Sequence, residues 1–119
     1  MRVAIYGGTG FVGSYLLDAL VSGGHDPAVL VRPGSEDKVR HREKCRLVAG
    51  DIGDSKAVGE VLTGCDAAIY NIGILREKPS AGITFKALQY EGAKLSIEAA
   101  MDRGIRRFVL MSALSLIHI

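Results

Sequence analysis

Arg2-Val3-Ala4-Ile5-Tyr6-Gly7-Gly8-Thr9-Gly10-Phe11-Val12-Gly13 is the stretch that decides the fold. Its apolar, β-favouring start runs directly into glycine, which is the pattern of a buried parallel strand. Beyond it, Gly13, Leu16, Leu17 and Leu20 recur at helical spacing, and Gly23-Gly24 closes the helix. A strand, a glycine turn and a helix in that order make a phosphate-accepting unit. Gly7 permits a tight turn, Gly10 lets the backbone approach a pyrophosphate, and Gly13 lets the helix pack closely on the strand. The free N–H groups and the dipole at the helix start then meet the phosphate charge. A plain glycine-rich turn is the competing reading, and the placement near the N-terminus inside a βαβ unit argues against it. The spacing is Gly-x-x-Gly-x-x-Gly rather than Gly-x-Gly-x-x-Gly.

Working outward, residues 27–32 form a second apolar run stopped by Pro33-Gly34. Residues 35–44 are charged and read as a short helix or a loop. A third strand over 46–50 is followed by a helix capped by Asp54 or Ser55, running through Leu62 to Gly64. A fourth strand spans 66–71 and a loop 72–82. A long helix is expected from about 83 to 103, with Phe85, Leu88, Gly92, Leu95 and Ala99 on its inward face. A fifth strand covers 107–112. Strands joined by helices must be parallel, with right-handed crossovers. The expectation is an α/β fold: a Rossmann-type doubly wound parallel sheet, five strands in the order 3-2-1-4-5, truncated after the fifth. No repeat or low-complexity tract interrupts it.

The 119 residues are room for one domain, and 48% hydrophobic with 24% charged residues is globular composition. Fifteen Lys+Arg against 13 Asp+Glu leave a net charge of +2, no footing for a nucleic-acid binder. The charge-free run from Val3 to Leu17 is too short and too broken by glycine for a membrane span. No signal-peptide pattern precedes it. Cys45 and Cys65 lack metal-ligand spacing, so no metal site is expected, and free thiols in a reducing compartment point to the cytoplasm. Leu114-Ser115-Leu116-Ile117-His118-Ile119 follows the fifth strand without cap or turn chemistry. One frame of a transposon end used in sequencing libraries, CTG TCT CTT ATA CAC ATC, encodes these six residues. The expectation is a domain over 1–113 and a non-native adaptor-derived tail over 114–119.

The chain resembles the short-chain dehydrogenase/reductase superfamily in its extended and atypical branches: the NAD-dependent epimerase/dehydratase group, NmrA-like proteins and complex I accessory-subunit-like NAD(P)-binding proteins. The resemblance rests on Gly7 to Gly13, on Gly50-Asp51-Ile52, on Tyr90-Glu91-Gly92-Ala93 with Glu98-Ala99-Ala100, and on Gly104-Ile105-Arg106-Arg107-Phe108-Val109-Leu110-Met111-Ser112. The run Asn71-Ile72-Gly73-Ile74-Leu75-Arg76 leans toward the complex I group. The resemblance implies that Gly8, Thr9 and Gly10, with Phe11 and Val12, hold the pyrophosphate of a dinucleotide cofactor. It implies that Asp51 and Ile52 contact adenine, and that Asn71, Ile72 and Gly73 lie along the cofactor ribose. Asp51 as a plain turn acid is the alternative.

Enzymes that prefer NAD place an acid at the end of the second strand, on the ribose 2′-hydroxyl. Here that position is Arg32, whose guanidinium suits a 2′-phosphate, so NADP(H) is favoured over NAD(H). A solvated strand-end arginine is the alternative. Lys38, Arg40, Arg42 and Lys44 are interleaved with Glu36, Asp37 and Glu43 and read as a solvated surface. In catalytic relatives a Ser after the fifth strand orients the substrate carbonyl, and a Tyr-x-x-x-Lys pair on the next helix moves the proton. Ser112 matches the first; the second is absent, since Tyr90 and Lys94 have its spacing but precede the fifth strand. Two readings stay open. One is the N-terminal part of an oxidoreductase or epimerase acting on a small molecule. The other is a non-catalytic NADP(H)-binding accessory or redox-sensing protein, with homo-oligomer or respiratory-complex association. The glycine spacing and Arg32 argue against S-adenosylmethionine on the same sheet.

Overall fold

In the computed structural model, residues 1–72 and 90–111 are described. Five strands, β1 (Arg2–Tyr6), β2 (Asp26–Val31), β3 (Arg46–Ala49), β4 (Ala67–Tyr70) and β5 (Arg107–Leu110), form one sheet in the order β3-β2-β1-β4-β5. Every pairing is parallel. The helices are α1 (Phe11–Ser22), α2 (Ser55–Val61) and α3 (Gly92–Asp102). The topology is the one expected from the sequence. The charged stretch 35–44 resolves into two short 3-10 turns, Glu36–Lys38 and Arg42–Lys44. The expected long helix is present as α3 from Gly92 onward, and its earlier part falls outside the described residues.

The period-two alternation of the strands divides the core into two faces. Ala4, Tyr6, Ala28, Leu30, Val48, Ala68 and Tyr70 face one side, where they pack with Val58, Val61 and Leu62 of the α2 region and Ala93 and Ala100 of α3. Val3, Ile5, Val29 and Val31 face the other, with Leu17 of α1 and Val39. Both faces of the central strands are covered, which is why these strands read as unbroken apolar runs.

Side chains reach between elements to finish the helices. Asp54 caps α2, accepting from the backbone N–H of Lys56 and Ala57. At the other end of α2, the Arg46 guanidinium on β3 donates to the carbonyls of Glu60, Val61 and Thr63 at 3.3, 2.9 and 2.8 Å. These are the carbonyls that a helix C-terminus leaves without intrahelical donors. Arg40 and His41 both meet Asp18 of α1, at 3.1 and 2.6 Å, and pin the β2–β3 connection to that helix. Arg42 pairs with Asp37.

At the β5 edge, Val109 is 51% and Leu110 53% exposed, and no described strand pairs beyond β5. An open apolar edge recruits other strands. The chain should therefore self-associate as its concentration rises, and Val109→Lys should suppress that association. Sedimentation velocity over a concentration series checks both outcomes.

Candidate functional site

Because the strands are parallel, their C-terminal ends share one edge of the sheet, and the expected site residues gather there. Gly7, Gly8, Thr9 and Gly10 join β1 to α1. Arg32 follows β2, Asp51 and Ile52 follow β3, and Asn71 and Ile72 follow β4. Gly73 and Ser112 lie outside the described residues.

The glycine loop is walled on one side and open on the other. The β1–β4 register sets Tyr6 beside Tyr70, which brings Gly7 against Asn71. Gly7 adopts φ +90°, and a Cβ there would lie 2.5 Å from the Asn71 carbonyl oxygen. Asn71 is also a clip: its backbone N–H donates to the Tyr6 carbonyl at 2.8 Å. Its side-chain Nδ2 donates to the Gly7 carbonyl at 3.2 Å. From the helix side, a Cβ on Gly13 would lie 2.4 Å from the Gly7 carbonyl oxygen and 2.7 Å from the Gly8 carbonyl carbon. Gly10 is the opposite case, with no atom within 4 Å of where its Cβ would stand.

Gly10 precedes α1 in an extended conformation and no side chain caps the helix. The first intrahelical bond runs from the Ser14 N–H to the Gly10 carbonyl at 2.9 Å. The N–H groups of Phe11, Val12 and Gly13 thus have no intrahelical acceptor. A helix start with free N–H groups, no capping side chain and clear space at Gly10 has the chemistry to receive a phosphate. Phe11 is 77% exposed and stacks edge-to-face on Tyr15, ring centroids 5.1 Å apart, at the rim.

Between β2 and β3, Val31 pairs with Ala49, and Gly50 N–H donates to the Val31 carbonyl at 2.8 Å. That register sets Arg32 beside Asp51, with Nε 3.9 Å from Oδ1. Both side chains are more than half exposed, so the pair is weak and free to rearrange around a ligand. Asp51 Oδ1 also accepts the Ile52 N–H at 2.7 Å. The Ile52 side chain is buried in the core, so only its backbone faces the edge. Glu36, expected on a solvated surface, instead turns back onto the chain. Its carboxylate accepts the Gly34 N–H, at 2.9 Å to Oε1 and 3.2 Å to Oε2, within the turn that follows Arg32. The Asn71 side-chain clip has no counterpart in the sequence pattern, because a bond from residue 71 to residue 7 leaves no local signal.

No acid/base pair stands out among the described residues. The Tyr6 hydroxyl donates to the Val58 carbonyl at 2.9 Å. Burial, chiefly, pushes its pKa far above the usual tyrosine range, and burial does the same to Tyr70. Cys45 and Cys65 carry no disulfide, and burial raises both thiols, so neither is a ready thiolate. Lys94 pairs loosely with Glu98 along α3, at 4.0 Å. No group of three or more His, Cys, Asp or Glu able to hold a metal is found among the described residues. No helix among them is long and apolar enough to cross a membrane.

A parallel sheet in this order with a glycine cradle at the head of α1 defines a dinucleotide-binding protein of the Rossmann type. Residues 7–118 match the NAD(P)H-binding family, and the chain belongs to it. It is 34% identical over 113 residues to a ceramide reductase of Caulobacter vibrioides, covering 95% of this chain and 35% of that protein. It is 33% identical over 118 residues to a 3-diazoavenalumate denitrifying reductase of a Streptomyces species, covering 94% of this chain and 38% of the relative. The chain thus spans little more than a third of the length of these relatives. The solved structure of an NAD-dependent epimerase/dehydratase-like protein from Bacillus halodurans superposes with a TM-score of 0.78 at 28% identity, covering 97% of this chain and 52% of that one. The chain is an NAD(P)-binding domain similar to reductases and epimerases of the short-chain dehydrogenase/reductase type, and these matches do not favour the accessory-protein reading.

The two glycines predict opposite phenotypes. Gly13→Ala must push the helix off backbone atoms and should lower stability by about 1–3 kcal/mol in denaturant melts. Gly10→Ala meets open space and should leave stability within about 0.5 kcal/mol. It should nevertheless weaken dinucleotide binding at least about tenfold, because its methyl group stands where the pyrophosphate comes in. Fluorescence titration with NADPH reads the second effect.

Proposed function

We propose that the chain is the cofactor-binding, N-terminal part of an NAD(P)H-dependent reductase or epimerase acting on a small molecule, and that it takes NADP(H) in preference to NAD(H). The observation that carries the preference is Arg32. It stands at the end of β2, where an NAD enzyme would hold an acid, and it is exposed at the edge with only a loose tie to Asp51. A guanidinium there offers a bidentate donor to a 2′-phosphate.

The backbone of Gly8, Thr9 and Gly10 and the free N–H groups of Phe11 and Val12 hold the pyrophosphate. Asp51 and the backbone of Ile52 face the adenine. Asn71, Ile72 and Gly73 line the ribose, with Asn71 also fixing the glycine loop from behind. Ser112 orients the substrate carbonyl. The nicotinamide cofactor, when bound, supplies or accepts hydride; the chain's own residues bind and orient it. Residues 1–113 are the native part and 114–119 a translated adaptor, which sequencing the source DNA across codon 113 tests. The resemblance and the reducing-compartment thiols support a cytoplasmic setting.

Arg32→Ala should weaken NADPH binding about tenfold or more, the scale of a lost hydrogen bond to a charged group, and leave NADH within about twofold. Parallel titrations with both cofactors check it. An equal loss for both would count against the 2′-phosphate role.

A further inference from the structure

We infer that Glu36 is a specificity-determining residue that opposes Arg32: its carboxylate holds the turn N–H that a ribose 2′-phosphate would use, and so lowers the preference for the phosphorylated cofactor. This rests on the reading of Arg32 as the 2′-phosphate ligand.

Ser35 N–H donates to the Arg32 carbonyl at 3.0 Å, so Pro33 and Gly34 are the central residues of a turn. Proline followed by glycine at φ +91° is the pattern of a type II turn, in which the N–H of the third residue makes no bond within the turn. That N–H does not stay idle. It donates to both oxygens of the Glu36 carboxylate, at 2.9 and 3.2 Å, so it is placed to donate to an anion. A Cβ on Gly34 would meet no atom within 4 Å, so there is room above the turn.

The end of β2 is where the adenosine ribose presents its 2′ position. The donors on this segment, Arg32 and the Gly34 N–H, are each matched with an acid of the chain itself, Asp51 and Glu36. A 2′-phosphate arriving there carries negative charge toward Glu36 and must displace it or remain on Arg32 alone. A 2′-hydroxyl meets no such repulsion and can donate to the carboxylate. Glu36 therefore works against the phosphorylated cofactor and not against the other. Its neighbour Asp37 carries the same charge but is 91% exposed and paired with Arg42, away from the Gly34 N–H.

Affinities for NADPH and NADH would be measured for the full chain, E36Q, D37N and R32A. E36Q should bind NADPH about three- to tenfold tighter, the range for removing one partly screened like charge, with NADH unchanged or weaker. D37N should stay within about twofold for both. In NMR spectra of the unaltered chain, adding 2′,5′-ADP should move the Gly34 amide signal more than adding 5′-AMP, and E36Q should shift that signal before any ligand is added. Weaker NADPH binding by E36Q, an equal change for both cofactors, or the same gain from D37N would each overturn the inference. The two readings fail separately. If R32A loses NADPH while E36Q changes nothing, Glu36 has no such role. If R32A binds NADPH as before, the 2′-phosphate role of Arg32 itself falls.

Discussion

The Gly7 carbonyl is hemmed in from two sides. Gly13 presses on it from α1, and the Asn71 side chain donates to it from the end of β4. Three elements meet at one peptide, and none tolerates a side chain between them. This contact sets the depth at which α1 seats on the sheet, and hence where its free N–H groups point. It also fixes the end of β4 against the end of β1. The position of the uncapped start of α1 is a by-product of this packing, since a helix that sat farther out would not bring its first turn over the strand ends.

Around that point the sheet does two jobs. Its alternating side chains anchor α1 on one face and α2 and α3 on the other, so the strand ends are held from both sides. Its parallel register delivers Arg32 next to Asp51 and Gly7 next to Asn71, although these pairs lie far apart in the chain. The rigid part of the site is built from backbone and buried groups. The ends of β2 and β3 carry exposed charged side chains instead, Arg32 and Asp51, where an ion pair is weak and easily exchanged.

What the sequence reveals follows the same division. The strand–glycine–helix unit, the strand order and the glycine caps are legible because each depends on local chemistry or on a period of two or 3.6. Asp54 as the α2 cap is legible for the same reason. The Arg46 clamp on the end of α2, the Arg103 guanidinium over Gly59 and the Asn71 clip are not, because they join residues through space with no fixed offset. The 35–44 stretch is the instructive case. Its mixed charges read as a solvated surface, and much of it is: Asp37 and Arg42 pair with each other near the solvent. Yet Arg40 and His41 brace α1, and Glu36 turns back onto Gly34, so individual charges in an interleaved run carry separate duties. Composition cannot distinguish them; only the turn at Pro33-Gly34, which decides where Glu36 points, does so.

The Asn71 clip also orders events in time. A chain made from its N-terminus has β1 and α1 long before residue 71 emerges, and until then the Gly7 carbonyl lacks its partner from β4. The glycine loop of the nascent chain therefore has its sequence but not its shape, and it acquires that shape only when a segment 64 residues downstream docks. A dinucleotide that binds the finished loop and not the unfinished one favours the docked state by mass action.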